Sequence, residues 1–219
     1  LRGIKRTAAG LRIGAASTYR ELLDSAQARS DAPLIAEVAE LVGDRQVRHR
    51  GTIGGSCAHG DPASDLPTIC LALDATFVAQ GPNGTRQIAA KDFFKGFFDT
   101  ALDANEILTA IHVPKTGGAG WSYIKFRQRA LDWATVGVAA IVNGGAKIAF
   151  TNMGHTTLRA SAAEAAFASG GAAAAAAAAA HRVLLHYFPG SQGRLDAQLA
   201  ASLAGVADGS SEQQGIAYG

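Results

Sequence analysis

Gly51-Thr52-Ile53-Gly54-Gly55-Ser56, continuing as Cys57-Ala58-His59-Gly60-Asp61-Pro62-Ala63-Ser64-Asp65, concentrates glycine, hydroxyl and ionisable side chains in one short stretch. Glycine lets the backbone approach a ligand with no side chain in the way, and successive N–H groups in such a turn make a concavity suited to an anion. A phosphate is the natural occupant. A bare Gly-Gly pair is more often only a tight turn. Here Arg48 and Arg50 precede it, and His59, Asp61, Ser64 and Asp65 follow, which is the composition of a site loop more than of a core turn. Asp65 has two open roles, capping a helix or accepting hydrogen bonds from a ligand hydroxyl, and spacing does not separate them.

On the N-terminal side, residues 11–15 read as a strand, and Thr18 with Glu21 has the spacing of a capping box opening a helix through Leu22 and Leu23. Residues 33–42 read as a second helix with proline in its first turn, closed by Gly43, and residues 44–50 as a polar connection. On the C-terminal side come a helix over 64–73 and strands over 75–79, 85–89 and 107–113, the first two joined across Pro82-Asn83-Gly84. Residues 114–118 look like a linker, which puts a domain boundary near 116. Beyond it lie strands over 123–127, 136–142 and 147–151, with Asn143-Gly144-Gly145 as a hairpin turn, and then a helix over 158–168. The pattern is α+β.

With 219 residues, 48% hydrophobic and 17% charged, the chain suits one or two globular domains and excludes a disordered, collagen-like or coiled-coil polymer. A formal charge of +2 lacks the dense basic footprint of a nucleic-acid binder. Two cysteines without metal-ligand spacing cannot hold an iron–sulfur cluster and point to a reduced, cytoplasmic setting. Ser56 and His59 suggest a hydrolase, but no Gly-x-Ser-x-Gly elbow is present, and no H-E-x-x-H or C-x-x-C arrangement indicates a metal. Lys125, Arg127 and Arg129 lie beside Asp132 and Trp133, a set that suits a planar anionic cofactor or, more plainly, a basic strand edge. Residues 172–180 are nine alanines, either a helix or placeholders for side chains never identified, so residues beyond Ala172 carry no functional weight. The tail from Ala207 is Gly/Ser-rich and expected to be loosely ordered.

The run from Gln46 to Pro67 resembles the flavin subunit of the molybdenum hydroxylases, the xanthine oxidase family. Within it the chain looks most like the medium, FAD-binding subunit of aerobic carbon monoxide dehydrogenase. Glu106-Ile107-Leu108, the run from Lys125 to Ala134 and the run from Thr151 to Ala160 resemble later blocks of the same family, so the likeness covers about residues 1 to 168. It implies an FAD-binding α+β domain of the molybdopterin-dehydrogenase type over 1–116, whose first glycine-rich FAD motif would lie upstream of Leu1. A small C-terminal α+β domain with an antiparallel sheet would follow over 117–219.

By the same resemblance, Thr52, Ile53, Gly54, Gly55 and Ser56 form a second glycine loop on the FAD diphosphate, with His59 beside it and Asp65 on the ribityl side. Leu108 packs near the adenine, Lys125 lies near the isoalloxazine, and Asp132 and Trp133 belong to the loop bordering the ring. Ser56 departs from the asparagine usual in the family. The implied partners are a large subunit with the molybdenum cofactor and a small subunit with 2Fe–2S clusters, in a dimer of heterotrimers. FAD would pass electrons to an external acceptor such as a quinone, which allows peripheral contact with the inner face of a membrane. No residue of this chain is implied as a catalytic acid, base or nucleophile, and no metal or nucleic acid is implied here. The competing readings are a related hydroxylase acting on a purine or N-heterocycle, and an assembly subunit that has lost its cofactor.

Overall fold

Hydrogen bonding close in sequence sets the first elements of the computed structural model, which describes residues 1–187. Strand β1 (Ile4–Thr7) turns back into β2 (Gly10–Gly14). Helix α1 (Tyr19–Asp24) opens on the anticipated capping box: the Thr18 hydroxyl accepts the Glu21 N–H at 3.2 Å, and the Glu21 carboxylate accepts the Thr18 N–H at 2.7 Å. Helices α2 (Ala26–Asp31) and α3 (Pro33–Glu40) follow, and α3 buries Leu34, Ile35, Ala36, Val38 and Ala39. The polar run 44–50, read from sequence as a connection, is helix α4 (Arg45–Arg50). Asp44 Oδ1 accepts the Val47 N–H at 2.8 Å, and three basic residues occupy the last turn. It buries no residue, so no apolar periodicity announces it.

The glycine-rich stretch is itself helical, as α5 (Ile53–His59), ending at Gly60 in the left-handed conformation. Helix α6 (Asp65–Ala72) is buried at all eight positions. Apart from Asp65 and Thr68 its sequence is apolar, which suits a central helix. It packs against α3 on one side and, after the chain has passed through the remaining strands, against a second sheet on the other.

Those strands are β3 (Thr76–Gly81), β4 (Gly84–Ala89), the short α7 (Ala90–Phe93), β5 (Phe94–Gly96), β6 (Asp99–Thr100) and β7 (Ile107–Pro114). The first sheet runs β1-β2-β7-β3-β4, antiparallel throughout, with β5 and β6 as a separate hairpin. The second comprises β8 (Gly120–Phe126), β9 (Val136–Val142), β10 (Ala146–Thr151) and β11 (Leu158–Arg159), in the order β11-β10-β9-β8 and also antiparallel. One continuous core joins Leu11, Ile13, Leu34, Ile69, Phe77 and Ile111 to Ala139, Ile141 and Ala149 of the second sheet.

The last helical segment, α8 (Ser161–Tyr187), starts three residues later than the sequence suggested, because Leu158 and Arg159 pair with Phe150 and Ala149. It breaks at Gly171 (φ 72°). Beyond the break, Ala175, Ala176 and Ala179 are buried in a second cluster with Val136, Val138, Ile148 and Phe150. The expectation for the tail from Ala207 lies outside the described residues.

Candidate functional site

Helix α5 enters beside the end of β2, and that closeness requires Gly54. A Cβ there would lie 2.4 Å from the Ala15 Cβ and 2.5 Å from the Ala15 carbonyl oxygen. The Gly54 N–H donates to Ala15 O at 2.8 Å, Ile53 N–H to Ser17 O at 3.1 Å, and Gly55 N–H to the Thr52 hydroxyl at 3.0 Å. The nest of free N–H groups expected from the sequence is therefore not present, since protein acceptors take all three. Arg48 is also committed: its Nη1 donates to the carbonyls of Glu40, Val42 and Gly43, closing the end of α3. What α5 offers outward is the exposed, side-chain-free face of Gly55 between the half-buried hydroxyls of Thr52 and Ser56. The Thr52 oxygen accepts the Gly55 N–H and keeps its own proton to donate. Hydroxyl donors around a backbone open to close approach fit the phosphoryl oxygens of a dinucleotide.

Of the two roles that the sequence left open for Asp65, the structure excludes that of the cap residue of α6. It is the first residue of α6, and Ser64, at the cap position, makes no side-chain cap bond. The Asp65 carboxylate turns instead to β8, where Lys125 Nζ donates to Oδ2 at 2.7 Å and the Tyr123 hydroxyl donates to Oδ1 at 2.6 Å. Both charged side chains are only 4% exposed. Burial pushes the Asp65 carboxyl up, and the Lys125 charge and the Tyr123 hydroxyl work against it. Lys125 also donates to Leu41 O at 3.2 Å. Strand β8 does lie at a sheet edge, with Arg129 exposed just beyond it, but Lys125 points inward.

The remaining sequence-derived residues divide between core and surface. Ile53 (0% exposed) and Leu108 on β7 (8% exposed) belong to the core cluster. His59 tilts against Phe98, ring centroids 4.8 Å apart, and Phe98 packs edge-on to the exposed Phe97. Asp132 is half-buried and Trp133 is 61% exposed in the loop between β8 and β9. The structure thus brings Asp65 and Lys125 into contact and leaves Trp133 projecting.

Four residues escaped the sequence reading. Tyr19 is pushed up by burial, with the Ser56 side chain opposing that shift and the Asp65 charge adding to it. Tyr123 binds Asp65, and its hydroxyl also contacts the Thr151 hydroxyl at 3.0 Å. Thr151 Oγ1 lies 2.9 Å from Thr68 Oγ1. Tyr123 alone had a readable signal, because positions two apart on a strand share a face and Lys125 is itself a candidate.

Residues 1–116, more than half of the chain, match the family described as the FAD binding domain in molybdopterin dehydrogenase. The chain belongs to this family. It is 42% identical over 166 residues to the carbon monoxide dehydrogenase medium chain of Hydrogenophaga pseudoflava, covering 73% of this chain and 58% of that one. Against the solved carbon monoxide dehydrogenase of the same organism it superposes with a TM-score of 0.78 at 40% identity, covering 94% of this chain and 76% of that one. Against reconstituted CO dehydrogenase from Oligotropha carboxidovorans the TM-score is 0.81 at 31% identity, with 95% and 79% covered. The chain spans a little over half the length of the curated relatives it matches.

Proposed function

We propose that this chain is part of the flavin-binding, electron-transfer subunit of a molybdenum hydroxylase complex of the aerobic carbon monoxide dehydrogenase kind. The observation that carries this reading is the extent of the likeness to a carbon monoxide dehydrogenase medium chain. At 166 residues it is longer than the family match over 1–116, so it takes in part of the second sheet as well. FAD, when bound, would accept electrons from 2Fe–2S clusters of a small partner subunit and yield them to an external acceptor such as a quinone.

Residues of this chain would hold the cofactor in two places. Thr52 and Ser56 would donate to the diphosphate across Gly55, while Ile53 and Gly54 anchor that turn of α5 on Ser17 and Ala15. Asp65 and Lys125 would set the charge near the ring. Asp132 and the exposed indole of Trp133 would border the ring, Leu108 would give apolar support from β7, and His59 would flank the α5 end. No side chain here needs to act on substrate, which would be oxidised on a large molybdenum-bearing subunit in a dimer of heterotrimers.

Residues 1–116 would then form the second part of the FAD-binding domain and 117–219 a C-terminal domain. Among the described residues no helix is long and apolar enough to cross a membrane. A cytoplasmic complex touching the inner membrane face through its acceptor is the proposed setting.

The test is to purify the native complex, release non-covalent cofactor with acid and identify it by mass spectrometry and fluorescence. Stoichiometric FAD is expected, and a flavin-free complex overturns the reading. Turnover of CO, measured against a panel of purines and N-heterocycles, then decides the substrate.

A further inference from the structure

We propose that Tyr123 is a positioning residue for the charge presented to the flavin: its hydroxyl holds Asp65 in the ion pair with Lys125, so that the two charges cancel. This rests on the proposed function, in which Asp65 and Lys125 stand near the ring. Tyr123 and Lys125 are two apart on β8 and reach the same face, each taking one oxygen of the Asp65 carboxylate. A buried carboxylate needs a partner on both oxygens, and Lys125 satisfies only one.

The surroundings are built to hold the phenol. Strand β9 carries glycine at position 137, opposite Lys125, where a Cβ would stand 2.3 Å from the Tyr123 oxygen and 2.8 Å from Thr151 Oγ1. The hydroxyl chain runs on through Thr151 of β10 and Thr68 of α6 to the Phe150 carbonyl. The phenol oxygen is therefore located from three elements at once.

The other titratable groups that couple to Asp65 are Arg127 on the β8 side and Tyr19 on α1. Burial favours the protonated carboxyl, and Lys125 and Tyr123 together oppose it. Without the phenol hydroxyl, Asp65 takes up a proton at a higher pH. Lys125 is then uncompensated, and the added positive charge raises the potential of a nearby flavin.

The experiment is a redox titration of the flavin in the purified complex carrying the full-length subunit, from mildly acidic to mildly alkaline pH. The Tyr123→Phe complex is expected to retain FAD and to show, in its plot of potential against pH, an upward inflection on the acidic side that the unmodified complex lacks. Adding Asp65→Asn should abolish that inflection. A purely structural role would change stability or flavin content and leave the profile alone, so an FAD-loaded Tyr123→Phe complex with an unchanged profile overturns the proposal. Should Tyr123→Phe fail to assemble or lose its flavin, Thr151→Val serves instead. It strips the second partner from the phenol and should give a smaller inflection of the same sign, and an unchanged profile again overturns the proposal. An unmodified complex without FAD fails at the earlier step and refutes the underlying function instead.

Discussion

Lys125→Met leaves the Asp65 carboxylate in the interior with Tyr123 as its one strong donor. The pair it breaks is 2.7 Å long with each side chain 4% exposed, so water cannot replace the ammonium. Removing one partner of a buried pair costs about 3–5 kcal/mol, against about 0.2–1 kcal/mol for an exposed one. For a chain of this size each kcal/mol is worth about 2–4 °C, so the melting temperature should fall by about 6–20 °C. The double variant Asp65→Leu/Lys125→Met buries no charge and should return to within about 1–2 kcal/mol of the unmodified chain. Urea unfolding followed by circular dichroism gives both numbers, provided the slopes agree.

The pH dependence of Lys125→Met has a fixed sign. With Lys125 gone, its charge and hydrogen bond no longer oppose burial, and the Tyr123 hydroxyl and Arg127 charge are left to do so, so the Asp65 carboxyl binds its proton more tightly folded than unfolded. That contribution is complete below the ordinary aspartate range and is lost as pH rises through the raised value, so the variant should be hurt less in acid than at about pH 8. A loss under about 1 kcal/mol, or a double variant as damaged as the summed singles, would refute the claim that this pair is buried and coupled.

Gly54→Ala forces a methyl to within 2.4 Å of Ala15 and should cost about 1–3 kcal/mol in the same denaturation assay, with no gain from the better helix propensity of alanine. Thr52→Ala removes the cap of α5 and should cost about 1 kcal/mol, while Thr52→Ser should restore most of it. Glu106 accepts from Arg86 Nε and Nη2 and from the Asp103 N–H, which hold its carboxyl down at about 2. Its stabilising contribution is complete above the ordinary glutamate range and is lost as pH falls toward 2, so thermal melts of Glu106→Gln should decline less steeply over that interval.

Elements whose hydrogen bonds close within a few residues were readable in the chain. The Thr18–Glu21 box, the proline-led α3, the turn at Pro82-Asn83-Gly84 and the hairpin at Asn143-Gly144-Gly145 each carry their own geometry. The run from Gln46 to Pro67 also carried the family, because its order of glycines, hydroxyls and ionisable groups is long and distinctive. Helix α4 was missed because it buries nothing, and the short β5–β6 hairpin because two or three residues show no period.

The partners of the chemically active groups came only from packing. Asp65 meets Lys125 across 60 positions of sequence and Tyr123 across 58, in an interior where a carboxylate has no water to turn to. The N–H groups of residues 53–55 looked free in the sequence, yet two of them are consumed by carbonyls of residues 15 and 17, brought there by the end of β2. Gly54 reads from the sequence as room for a ligand and Gly137 carries no local signal, but the reason for each is a neighbouring atom less than 3 Å from where a methyl would sit. The sequence by itself determined the fold class, most of the longer helices and strands, and several of the groups able to do chemistry, because those depend on residue type and near neighbours. The tertiary structure alone decided which groups are spent on one another, because burial makes every charge and N–H find a partner wherever the fold has placed one.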